Sequence, residues 1–237
     1  RSVANIGDLD GDGVNDLAVG AYTDDAGGTN RGAVHIMFMN TDGSVDSTVE
    51  INSGTTNGPS IADSDFFGKS VANIGDLDGD GVNDLAVGAA GDDAGGSGRG
   101  AVHIMFMNTD GSVDSTVEIN SSTTNGPTLA NGDSFGFSVA NIGDLDGDGV
   151  NDLAVGASGD DAGGNGRGAV HIMFTKDAIK PTVTMTSSSG DSGDSTSSTT
   201  LSYTVTFSES TSNFVVGDIT VTGTANDGAP EASNFAG

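Results

Sequence analysis

Apolar and polar residues alternate over short stretches of this chain, and each stretch stops at glycine or at an Asp-Gly pair. Ala101–Met107 sets Val102, Ile104 and Phe106 on one side and His103, Met105 and Met107 on the other, the two-residue period of a strand. Residues 85–89 (LAVGA) form a compact apolar run. Residues 70–74 are short and mixed, and residues 116–119 are more polar, as suits an outer edge strand. No segment sustains a 3.6-residue period, so the pattern predicts strands joined by tight turns and no helix.

The four segments recur. SVANIGDLDGDGVNDLAVGA begins at Ser2, Ser70 and Ser138, 68 residues apart each time. Each copy continues into an Asp-Asp-Ala-Gly-Gly turn at Asp24, Asp92 and Asp160, then into RGAVHIMF from Arg31, Arg99 and Arg167. The first two copies run on through MNTDGSVDSTVEIN, whereas the third departs at Thr175-Lys176. Four antiparallel strands per repeat are what a propeller blade contains. A solenoid is the competing array, but the unit is long for one, and a four-stranded meander buries both faces between neighbouring blades.

Composition narrows the function. Thirty-four acidic residues against seven Lys and Arg give a net charge of −27, which repels nucleic acid and anionic membrane surfaces. Cysteine is absent, which excludes disulfides and thiolate metal or redox chemistry. No apolar run approaches the ~18 residues of a membrane span, so no membrane insertion is expected. The 39 glycines and four prolines favour tight turns.

The placement of the carboxylates carries the chemistry. Asp76-Leu77-Asp78-Gly79-Asp80-Gly81-Val82-Asn83-Asp84 fits D-x-D-x-D-G-x-x-D, and both other repeats match it. Side chains at positions 1, 3, 5 and 9 and the carbonyl at position 7 can surround one hard cation, with Gly at position 6 for the sharp turn. The candidate ligands are therefore Asp8, Asp10, Asp12, Val14 and Asp16; Asp76, Asp78, Asp80, Val82 and Asp84; and Asp144, Asp146, Asp148, Val150 and Asp152. An EF-hand needs Glu at position 12; Val19, Val87 and Val155 stand there, and strand-like residues follow. An all-oxygen set without His or Cys favours Ca2+ over zinc or copper, and its flexibility disfavours Mg2+. Two carboxylates about 4 Å apart repel by roughly 4 kcal/mol at an effective dielectric of 20, so the loop without an ion is expected to be strained or open. Calcium at about 100 times Kd adds about 2.7 kcal/mol per site. One Ca2+ per repeat, three in all, is the expectation.

These residues resemble the FG-GAP repeat family of integrin α-subunits and bacterial surface proteins. Phe67-Gly68 and Phe135-Gly136 stand at the family's Phe-Gly, the acidic loop follows, and Val87-Gly88-Ala89 corresponds to its Gly-Ala-Pro end, with Ala90 in place of Pro. The first repeat keeps Val19-Gly20-Ala21 and lacks the Phe-Gly. The resemblance covers roughly residues 1–175 and implies an extracellular all-β partial propeller of three four-stranded blades. It places each calcium loop between a blade's first two strands, on one propeller face. Closed propellers have about four to eight blades, so the remaining blades are expected from sequence beyond this chain. Residues 1–178 are read as the propeller part (about 1–68, 69–136 and 137–178, the first and last incomplete).

Residues 180–237 turn Ser/Thr-rich. Val183 and Met185 alternate with Thr, as do Leu201, Tyr203, Val205 and Phe207, and again Ile219 and Val221; a Gly/Ser/Asp loop separates the first two runs. This part is similar to bacterial immunoglobulin-like domains of large adhesins and is shorter than the about 100 residues of a full sandwich, so an incomplete domain is expected.

Other motifs read as structure. The Asp-Asp pairs at Asp24, Asp92 and Asp160 are ordinary solvated turn chemistry, with a second cation site as the alternative. Arg31, Arg99 and Arg167 pair with nearby carboxylates. His35, His103 and His171 hold one strand position in every repeat and read as inter-blade packing, with a pH-sensitive contact as the alternative. Gly132-Asp133-Ser134-Phe135-Gly136 spells G-x-S-x-G but precedes a strand and lacks the strand-to-helix elbow. The expectation is a non-catalytic, calcium-binding adhesion or scaffolding module, secreted or on the cell surface of a bacterium, with a protein or glycan partner. The alternative is an accessory region of a larger secreted enzyme whose catalytic domain lies outside this chain.

Overall fold

A computed structural model describes residues 2–176, 183–187 and 203–207. The chain divides into two units, Arg1–Ile179 and Lys180–Gly237. Among the described residues every regular element is a strand.

The first unit holds three antiparallel meanders. β1 (Ser2–Gly7), β2 (Asp16–Ala21), β3 (Ala33–Met39) and β4 (Val45–Ile51) form one sheet in chain order. β5 (Phe67–Gly75), β6 (Asp84–Ala89), β7 (Ala101–Met107) and β8 (Val113–Ile119) form the second. β9 (Phe135–Asn141), β10 (Leu153–Ala157) and β11 (Ala169–Met173) form the third. Packed four-stranded meanders are the architecture of propeller blades. The polar last strand is at the sheet edge in the first two. Among the described residues the third sheet has three strands, one fewer than a uniform four-stranded reading, and the sequence that forms β4 and β8 does not recur after Phe174.

The sheets stack through identical residues used twice. One buried cluster joins Ile36, Phe38 and Ile51 of the first sheet to Phe67, Leu85, Val87 and Met105 of the second. Another joins Val102 and Ile104 of the second to Phe135, Leu153 and Val155 of the third. Phe67 and Phe135 are wholly buried. Each anchors an opening strand that begins earlier than the alternation predicts, because Phe-Gly adds a bulge: the β5 register shifts between Phe67 and Ser70. Gly68 there takes φ +80°, which glycine adopts at little cost. Isolated parallel bridges, Gly32 with Phe67 and Gly100 with Phe135, tie each sheet to the next.

Polar clasps repeat across the same seams. Asn83 Nδ2 donates to the Ile6 carbonyl at 2.9 Å and Asn151 Nδ2 to the Ile74 carbonyl at 3.1 Å. Asn73 and Asn141 donate likewise to Asn5 and Asn73.

In the second unit, β12 (Val183–Ser187) pairs antiparallel with β13 (Tyr203–Phe207), Val183 opposite Phe207. The expected loop between them and the runs at Leu201, Ile219 and Val221 lie outside the described residues.

Candidate metal centre

Each acidic loop closes the hairpin between the first two strands of its sheet. Glycines at +81° and +92° (Gly11 and Gly13) and their counterparts Gly79, Gly81, Gly147 and Gly149 turn the backbone inward. The backbone N–H groups then converge on the first aspartate. Asp76 Oδ1 accepts from Gly79 N at 2.6 Å and from Asp80 N at 3.1 Å, and its Oδ2 accepts from Gly81 N at 2.9 Å. Asp8 is held by Gly11 and Gly13, and Asp144 by Gly147 and Gly149. The Gly149 and Gly147 N–H groups draw the Asp144 carboxyl below its ordinary value.

Positions 3 and 5 are engaged through one oxygen only. Asp78 Oδ1 accepts from Asp80 N and Asp80 Oδ1 from Val82 N, and the other two loops repeat this at Asp10, Asp12, Asp146 and Asp148. Burial, and then the charges of Asp80 and Asp76, push the Asp78 carboxyl up against the opposing backbone bond.

Position 9 is buried and bridges two elements. Asp84 Oδ2 accepts from Leu77 N at 2.8 Å while Oδ1 accepts from Met107 N, at the end of β7, at 3.1 Å. Asp16 joins Leu9 to Met39, and Asp152 joins Leu145 to Thr175. Burial raises the Asp84 carboxyl to about 6, only partly offset by those two N–H groups.

Carboxylate oxygens of positions 1, 3 and 9 come together in every repeat. They lie within 4.8 Å of one another in Asp8, Asp10 and Asp16, in Asp76, Asp78 and Asp84, and in Asp144, Asp146 and Asp152. Asp12, Asp80 and Asp148 fall outside these mutual sets, and Val14, Val82 and Val150 sit beside them on the loop, their N–H groups given to position 5. The donors gathered are all oxygen, partly solvent-facing and uncompensated by any ion pair among the described residues, which suits a hard divalent cation. The bridge from position 9 to the third strand had no signal in the loop motif, because it depends on the tertiary position of Met39, Met107 and Thr175.

The remaining motifs settle differently. Arg31 pairs with Asp63 at 2.7 Å, whereas Arg99 binds Asn131 and Ser121. His103 and His171 pack edge-on against Phe67 and Phe135, the residues that open their own sheets, and so within a repeat. In the Asp-Asp pairs the second member is solvated in the second and third repeats, but Asp92 and Asp160 are buried. Ser134 takes φ +56° in the turn before β9, and its hydroxyl faces the Gly132 carbonyl.

Residues 1–37, 67–105 and 135–173 match the FG-GAP repeat. The three sheets are integrin-α-like FG-GAP repeats. Each matched span starts at or near an opening strand, passes the acidic loop and ends on the third strand. The chain is 45% identical over 96 residues to integrin alpha-5 of Xenopus laevis (39% of this chain, 8% of that protein). Integrin alpha-PS5 of Drosophila melanogaster is 33% identical over 156 residues (65% and 14%). Human integrin alpha-IIb is 39% identical over 93 residues (39% and 8%). The chain thus spans a seventh or less of the length of these relatives.

Proposed function

We propose that the first unit is a non-catalytic, calcium-binding module for adhesion or surface scaffolding, of the kind that FG-GAP repeats form in integrin α chains. The observation that carries this reading is the threefold convergence of positions 1, 3 and 9 on one point, each inside a matched FG-GAP repeat. One Ca2+ per loop would bind Asp8, Asp10 and Asp16 and their counterparts, with Asp12, Asp80 and Asp148 and the carbonyls of Val14, Val82 and Val150 completing the shell. The ion neutralises charge that the net −27 leaves unbalanced and fixes the first hairpin of each blade. Affinities of about 10⁻⁴ to 10⁻³ M or tighter, the range of extracellular modules, agree with a secreted or cell-surface location. No helix among the described residues is long and apolar enough to cross a membrane.

The partner is a protein or glycan bound by a larger propeller, to which further blades of like sequence contribute. Residues 180–237 form part of an immunoglobulin-like domain in the same reading, as in bacterial adhesins. A role beside a catalytic domain of a larger secreted enzyme is distinguished by the sequence that flanks this region.

Calcium calorimetry tests the site. Asp78 and Asp80 each use one oxygen in the loop, so Asn at both positions keeps the backbone bonds and removes only free ligands. Asp78→Asn with Asp80→Asn is expected to abolish one of three sites and to lower Tm in calcium but not in chelator. An equal loss in chelator overturns the metal reading.

A further inference from the structure

The second sheet carries a cluster that the loop chemistry does not use. Register sets Val87 opposite His103 and His103 opposite Glu118, so the imidazole and the Glu118 carboxylate share one face. Asp92, in the turn after β6, completes the group. One donor atom from each of Asp92, His103 and Glu118 lies within 4.8 Å of the other two. His103 is 1% exposed, and neither of its ring nitrogens has a hydrogen-bond partner. A buried polar atom of this kind loses its hydration on folding and gains nothing in return. An interior imidazole facing two carboxylates with both nitrogens idle lacks a positive group.

The surroundings hold the donors ready. Asp92 Oδ1 accepts from Ala94 N at 2.6 Å, which leaves Oδ2 free. Asn120 Nδ2 donates to Glu118 Oε1 at 2.6 Å, and Phe67 covers the His103 ring edge-on at 5.5 Å. Burial drives the His103 pKa down to about 4, so the ring is neutral with a lone pair to give at neutral pH. Burial, followed by repulsion from Asp65, Glu118 and Asp93, lifts Asp92 to about 6. Among the described residues no Lys or Arg pairs with Asp92 or Glu118.

Among the described residues only this repeat assembles the full set. In the first, Asp24 and His35 are half-buried and Glu50 is exposed. In the third, His171 Nε2 lies 3.8 Å from Asp160, but no fourth strand brings a glutamate beside it among the described residues.

We propose that Asp92, His103 and Glu118 form a second cation site, separate from the acidic loops, for a borderline divalent transition ion such as Zn2+. A mixed set of one imidazole nitrogen and two carboxylate oxygens suits this class, whereas calcium takes six to eight oxygens. Zinc bonds of about 2.0–2.2 Å place tetrahedral donors about 3.3–3.6 Å apart. Glu118, half-buried on the edge strand, has the freedom to close that gap, and water takes the fourth position. The site does not rest on the calcium reading: a chain that bound one zinc and no calcium would sustain it.

The test is Zn2+ titration of the full chain by calorimetry in excess calcium, which occupies the loops and screens weak binding to acidic surface. One saturable equivalent is expected. His103→Gln and Glu118→Gln each weaken it roughly tenfold or more, while His35→Gln and His171→Gln leave it unchanged. Glu118→Gln alters a half-exposed side chain and keeps the test valid if His103→Gln fails to fold. Co2+ in place of Zn2+ is expected to give the visible absorption of a four-coordinate N/O site, lost in the same two variants. Absence of saturable zinc binding, or binding indifferent to both variants, overturns the site.

Discussion

Asp84 shows how one side chain serves both the loop and the sheet. Its two oxygens take the N–H groups of Leu77 and Met107, which tie the acidic loop to the end of the third strand. Being buried, it is charged at a cost, and its carboxyl titrates near 6 instead of near 3.8. The folded protein therefore holds this proton more tightly than the unfolded chain. Its contribution to stability is complete below about pH 4 and is lost as pH rises through about 6. In chelator, the Tm of the native chain relative to Asp84→Asn is expected to fall across that window. Thermal melts at stepped pH check this, and a flat difference would show an ordinary carboxyl. The burial of Asp84 was not legible in a motif that treats all its aspartates alike.

At the level of single strands, the glycine of the first two LAVGA strands marks a seam between sheets. A Cβ on Gly88 would overlap the Gly136 carbonyl of the third sheet, as one on Gly20 would overlap the Gly68 carbonyl of the second. The neighbour in both cases is backbone, which cannot swing aside. Gly88→Ala is expected to cost about 3 kcal/mol, read from denaturant melts. Gly156, the third copy, meets the flexible Ser138 side chain instead, so Gly156→Ala should cost about 1 kcal/mol or less. The alternation of Ala101–Met107 located β7 correctly, and the apolar run located β6. The opening strand was placed too late, because its Phe-Gly bulge interrupts the two-residue period.

Across the whole first unit, identical residues meet different surroundings. Ile104 is 4% exposed and Ile172 47%, although both occupy the same place in the repeat. The difference is the third sheet, which covers Ile104, whereas no described sheet covers Ile172. Ile104→Thr removes buried carbon and strands a hydroxyl, at about 2–4 kcal/mol; Ile172→Thr should stay within about 0.5 kcal/mol. Paired chemical melts test the contrast. Val170 and Phe174 extend the same exposed apolar face, the surface that a further blade would cover in the proposed larger propeller.

The strands, their repeat, the turn glycines and the clustering of aspartates in the first hairpin were all legible in the order of amino acids. All of these follow from local pattern: period, φ preference and the spacing of carboxylates along a few residues. Tertiary structure alone decided which copy of each residue is buried. It also decided that Asp84 reaches Met107 and that, among the described residues, only the second repeat brings its Asp, His and Glu together, as Asp92, His103 and Glu118. Those outcomes depend on what stands across the seam, of which three nearly identical stretches carry no local mark; only the third sheet's shorter strand set is legible, in the departure at Thr175-Lys176.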